Sequence, residues 1–72
     1  MTYEDELEQL GAEYKRRLDE ITKGKHYRDA YAKEIAELDY WHYVEHFKIF
    51  KKYGKAKGEM PPYPGKRASD FE

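Results

Sequence analysis

The segment between Gly24 and Gly54 carries large apolar side chains on two sides of a helix at once, and this restricts the fold more than any other feature of the chain. Successive helical residues turn by about 100°. On that wheel Tyr27, Tyr31, Ile35, Leu38, Ile49 and Tyr53 share one face. Tyr40, Tyr43, Val44, Phe47 and Phe50 share another. A helix that is apolar on two sides must be covered on two sides. The pattern predicts a helix over about 27–53, closed by Gly54.

One cover is visible in the preceding segment. Leu7, Leu10, Tyr14, Leu18 and Ile21 recur at spacings of three and four, which predicts an amphipathic helix over about 3–22. Thr2 is its expected N-cap, with Asp5 three residues on to complete a capping box. Glu4, Asp5 and Glu6 suit the positive end of the helix dipole. Lys23-Gly24 reads as its stop. The two helices then pair as an antiparallel hairpin turning at 23–26. At a rise of 1.5 Å per residue, the second helix would be about 40 Å long and the first about 30 Å. An overhang of roughly two turns is expected. Gly11 is out of place inside the first helix, where glycine costs about 1 kcal/mol against alanine. Either a bulky ring from the second helix approaches there, or Gly11 is a tolerated surface residue.

The second cover is not evident. Residues 54–72 begin with Gly54-Lys55-Ala56-Lys57-Gly58 and continue into Met60-Pro61-Pro62-Tyr63-Pro64-Gly65, which favours extended or disordered chain over helix. Met60, Tyr63 and Phe71 give this tail apolar grips, so it can fold back on the second helix. As a cover it ranks behind a second copy of the chain or a partner protein, being short and weakly apolar. The fold class expected is all-α: an antiparallel two-helix hairpin over 1–54 with an extended Pro/Gly-rich tail over 55–72, completed by oligomerisation or a partner.

Size supports that view. A chain of 72 residues with no cysteine has neither disulfides nor thiolate metal sites to staple a small core. Charged residues are 40% of the chain, and no run approaches the ~20 apolar residues of a membrane span. With an acidic first segment and no signal-like start, cytoplasmic residence is the default expectation. Net charge is -1, which provides no overall attraction to nucleic acid. Charge is nonetheless segregated: residues 1–22 hold seven acidic and three basic side chains, and residues 23–58 hold five and nine.

Few patterns point to chemistry. His42-Tyr43-Val44-Glu45-His46 has the H-x-x-E-H form of inverzincin zinc peptidases, and Asp39 lies one turn earlier on the same side. The match covers five residues, and the remaining chain is too short to supply a third ligand and a cleft. No metal, cofactor or catalytic residue is expected. There is no phosphate-cradling glycine loop, and the one serine, Ser69, lies near the chain end. Lys48, Lys51, Lys52, Lys55 and Lys57, interleaved with Phe47, Phe50 and Tyr53, have the basic-aromatic composition of single-strand nucleic-acid binders. Pro61-Pro62-Tyr63-Pro64-Gly65-Lys66 fits the general form of an SH3-domain ligand.

The function expected is therefore non-catalytic. The chain reads as a small protein-protein interaction protein that self-associates or docks on a larger protein. Adaptors, assembly subunits and virus-encoded inhibitors share this character. Tyr40, Tyr43, Val44, Phe47 and Phe50 are the expected contact surface. The alternative is nucleic-acid binding through the lysines of 48–57.

Overall fold

The computed structural model describes residues 2–24 and 28–71. Helix α1 spans Tyr3–Thr22 and α2 spans Ala32–Lys52, and the two pack against each other as a hairpin. Among the described residues there is no strand. Lys25, His26 and Tyr27, which complete the expected turn and open the expected second helix, lie outside the described residues.

The ends of α1 follow from its sequence. The Asp5 amide donates to the Thr2 hydroxyl at 3.1 Å, and the Thr2 amide donates to the Asp5 carboxylate at 3.2 Å. This reciprocal box satisfies two of the amide donors that a helix start leaves without partners. At the other end Lys23 and Gly24 both adopt left-handed backbone, with φ of 54° and 75°. The Gly24 amide returns to the Asp19 carbonyl at 3.2 Å.

Helix α2 is shorter than its apolar pattern suggests. Arg28–Tyr31 form a 3₁₀ turn, and the α-helix begins only at Ala32. Tyr31, at the N-cap, has no side-chain oxygen positioned to cap the helix, and no side-chain cap bond forms. A tighter turn is a common way to satisfy an uncapped helix start. The two helices are thus nearly equal, 20 and 21 residues, and the expected overhang is absent. The C-terminus of α2 closes with Gly54 at φ 72°. The Lys55 amide donates to Phe50 carbonyl at 2.8 Å and Gly54 to Lys51 at 3.2 Å. These two bonds form a Schellman motif, which requires the left-handed residue that glycine supplies without strain.

The hairpin seam runs the length of both helices. Tyr3 meets Phe50 and Tyr53 at one end, with ring centroids 6.1 and 5.6 Å apart. Tyr14 meets His42 near the middle, at 5.0 Å, and its hydroxyl donates to the Asp39 carboxylate. Leu10, Ile35 and Leu38 are buried, at 6–8% exposure, and among the described residues no side chain is fully buried. An added Cβ at Gly11 would meet nothing within 4 Å. Gly11 is therefore the tolerated surface glycine and not a site of close ring approach.

The tail is the second cover. From Gly54 the chain reverses and runs back along α2, ending in a 3₁₀ turn at Ala68–Phe71 that packs on α2. Ala36, 6% exposed, shares that side of α2 with Tyr40 and Tyr43. The ranking of the tail behind other covers is thus corrected for Tyr40 and Tyr43. Weak apolarity is offset by tyrosine stacking and an ion pair, as described below.

The result is one layer thick. The Cα positions extend 38 × 25 × 10 Å, and the radius of gyration is 13.7 Å. A compact chain of this length would have a radius near 11 Å by the general scaling. The accessible surface is 5507 Å². A typical monomer of this mass exposes about 4,700 Å². Most domains close a core between two layers, and this one closes two seams within a single layer.

Candidate protein-binding site

The five expected contact residues separate into three groups. Phe50 faces the hairpin seam. Its ring lies 4.2 Å from His46 and 6.1 Å from Tyr3, centroid to centroid. On the helical wheel Phe50 lies at the border of the two faces, and Tyr3 draws it to the α1 side. It is not part of a free stripe.

Tyr40 and Tyr43 lie under the tail. The Tyr63 ring packs edge-on against Tyr40 at 5.5 Å and tilted against Tyr43 at 5.2 Å. The Tyr43 hydroxyl donates to the Pro61 carbonyl at 3.0 Å. Arg67 completes the clamp. Its guanidinium sits 3.7 Å over the Tyr40 ring and pairs with Glu37 at 3.3 Å. Asp70 holds the backbone behind it, accepting from the Arg67 amide at 2.9 Å while its own amide returns to the Arg67 carbonyl. Gly65 allows the chain to pass over the Tyr63 ring, because a Cβ there would fall 2.6 Å from the ring carbon Cζ. Burial raises the Tyr63 phenol above its ordinary pKa.

Val44 and Phe47 remain. They occupy the next turn of α2 after Tyr40 and Tyr43 and are half-buried. Among the described residues the ring stacking of the tail stops short of them. The five residues therefore do not form one free stripe, and none of the five is fully exposed.

The histidines belong to the seam. His42 and His46 stack at 5.7 Å between Tyr14 and Phe50. Burial lowers the His42 pKa, a charge on His46 lowers it further, and Asp39 opposes both. Asp39 is engaged by Tyr14. Among the described residues no three His, Asp or Glu side chains converge as a metal site. The H-x-x-E-H spacing here serves ring packing in the hairpin.

The lysines are dispersed. Lys52 pairs with Glu6 of α1 at 3.0 Å, and Lys48 with Glu45 at 3.3 Å. A hydrogen bond from Tyr53, and then Lys52, hold the Glu6 carboxyl below its ordinary pKa. Lys55 lies 4.8 Å over the Tyr3 ring. Lys51 and Lys57 are exposed. Of the three rings interleaved with them, Phe50 and Tyr53 are turned onto Tyr3.

Trp41 was absent from the expected site. It flanks an open groove with Ile21 and Leu38, beneath the guanidinium of Arg17 at 4.2 Å. The basic triplet Lys15-Arg16-Arg17 on an otherwise acidic helix was its only sequence signal. No helix is long and apolar enough to cross a membrane among the described residues. Comparison with known families, with curated proteins and with solved structures finds no match to this chain.

Proposed function

We propose that this chain is a small non-catalytic interaction protein that binds another protein surface through the part of α2 centred on Val44 and Phe47. The supporting observation is the single-layer architecture, 10 Å deep, with no fully buried side chain among the described residues. A layer one helix thick leaves apolar surface on its broad faces, and association is the ordinary way to cover it. Phe47 is the anchor, because aromatic groups at the centre of an interface carry a large share of the binding energy. Tyr40 and Tyr43 border the site, with the tail as its rim.

Nucleic-acid binding has less support. The basic-aromatic reading needs rings free to stack, and two of its three rings, Phe50 and Tyr53, are engaged with Tyr3. The test compares Phe47→Ala and Val44→Asp with the parent protein. Light scattering reports self-association, and affinity capture from the native host reports other partners. Both changes are expected to abolish association while circular dichroism stays helical. A loss of helix on either change, with binding retained by the folded fraction, would make these two residues ordinary core.

A further inference from the structure

We infer that the groove formed by Tyr40, Tyr43 and Glu37 on α2 is an exchangeable docking site for the proline-rich tail, and that a second copy of the chain can deliver its tail to it reciprocally. The inference goes beyond the proposed function and does not depend on what Val44 and Phe47 bind.

Three observations carry it. First, the contacts described between Pro61, Tyr63 and Arg67 and the groove are all made to α2. Tyr63 packs on Tyr40 and Tyr43, Pro61 accepts from Tyr43, and Arg67 pairs with Glu37. Among the described residues the terminal 3₁₀ turn meets α2 and not α1. The groove therefore specifies a ligand, a Pro-Pro-Tyr-Pro segment followed by arginine, and is indifferent to which chain supplies it. Aromatic grooves of this kind take extended proline-rich segments because those lose little entropy on docking. Second, no residue of 55–70 is buried. The tail is a strap over the groove and can leave it without opening the hairpin seam. Third, the link between α2 and the strap is exposed and turns on two glycines. Gly54 and Gly58 have φ of 72° and 79°, and residues 54, 55, 57, 58 and 59 are exposed.

The length of this link decides between the two modes. From Lys52 back to Tyr43 is about 14 Å along the helix axis. The chain from Tyr53 to Pro61 spans that distance with room to reverse direction. Deleting Ala56–Glu59 leaves four residue steps, about 14 Å fully extended, with no length for the reversal. The shortened tail no longer reaches its own groove and is free to reach that of another copy. A short flexible link gives an intramolecular effective concentration in the millimolar range. Tail exchange between parent chains should therefore be negligible at micromolar concentration and appear at millimolar concentration.

Sedimentation velocity of the deletion variant at micromolar concentration is the test, with the same variant carrying Tyr63→Ala as control. The expected result is a dimer for the first and a monomer for the second, both helical by circular dichroism. A deletion variant that stays monomeric and helical, or dimerises equally with Tyr63→Ala, overturns the inference. If the deletion variant does not fold, the parent chain at millimolar concentration decides. In an equimolar mixture of isotope-labelled and unlabelled chains, filtered NMR spectra should show Tyr63–Tyr43 contacts between chains, and their absence overturns the inference. Phe47→Ala is expected to leave the deletion dimer intact, so failure of this inference is distinct from failure of the proposed function.

Discussion

Gly11 sits in the middle of α1 with open space where a side chain would be. Its replacement by alanine removes backbone freedom from the unfolded chain and creates no clash, so Gly11→Ala should raise stability by about 1 kcal/mol in urea denaturation. Tyr14 and Asp39 behave in the opposite way. The Tyr14 hydroxyl donates to a half-buried carboxylate across the seam. Tyr14→Phe leaves that carboxylate short of a partner, and a loss of about 1–3 kcal/mol is expected by the same measurement. His42 makes the seam sensitive to pH. Its folded pKa lies below the ordinary 6.5, chiefly through burial. The unfolded state then holds the proton more tightly, so stability is complete above 6.5 and falls as the pH drops below it. Chemical denaturation at pH 7 and pH 5 should show this decline, and His42→Gln should flatten it.

The start of α1 and the stops of both helices are legible in the sequence because capping is local. Thr2 and Asp5 are three residues apart, and Gly24 and Gly54 sit where a left-handed residue is needed. Thr2→Ala should cost about 1 kcal/mol. Gly54→Ala should cost a similar amount, about 1 kcal/mol, because its φ is positive. Thermal melts of the two variants check both values. The start of α2 was misread because apolar periodicity continues through Tyr31 into a 3₁₀ turn that shares nearly the same spacing. Phe50 was misread for a related reason: at the border of two faces, the wheel angle does not say which neighbour claims it. The tail was harder still. Its composition excludes helix, but the pairing of Tyr63 with Tyr40 and Tyr43, and of Arg67 with Glu37, spans 20 to 30 residues and leaves no local period to read. Replacing Lys51, Lys52 and Lys55 together with Gln should leave the circular dichroism spectrum unchanged, since exposed charges add little to stability.

At the scale of the whole molecule, α2 is the common wall of two seams, one with α1 and one with the tail. The two-sided apolar pattern of α2 announced two covers, and the chain itself supplies both in part. Val44 and Phe47, on the next turn of α2, are half-buried and make none of the tail's ring contacts among the described residues, on a layer 10 Å deep. Site-specific photo-cross-linking in the native host tests this account most directly. A photoreactive phenylalanine analogue is placed at position 47, at exposed Lys15 on α1 and at Lys55 on the basic end. The account predicts a discrete protein adduct from position 47 and none from position 15. Adducts from position 55 to nucleic acid, with none from position 47, would contradict it.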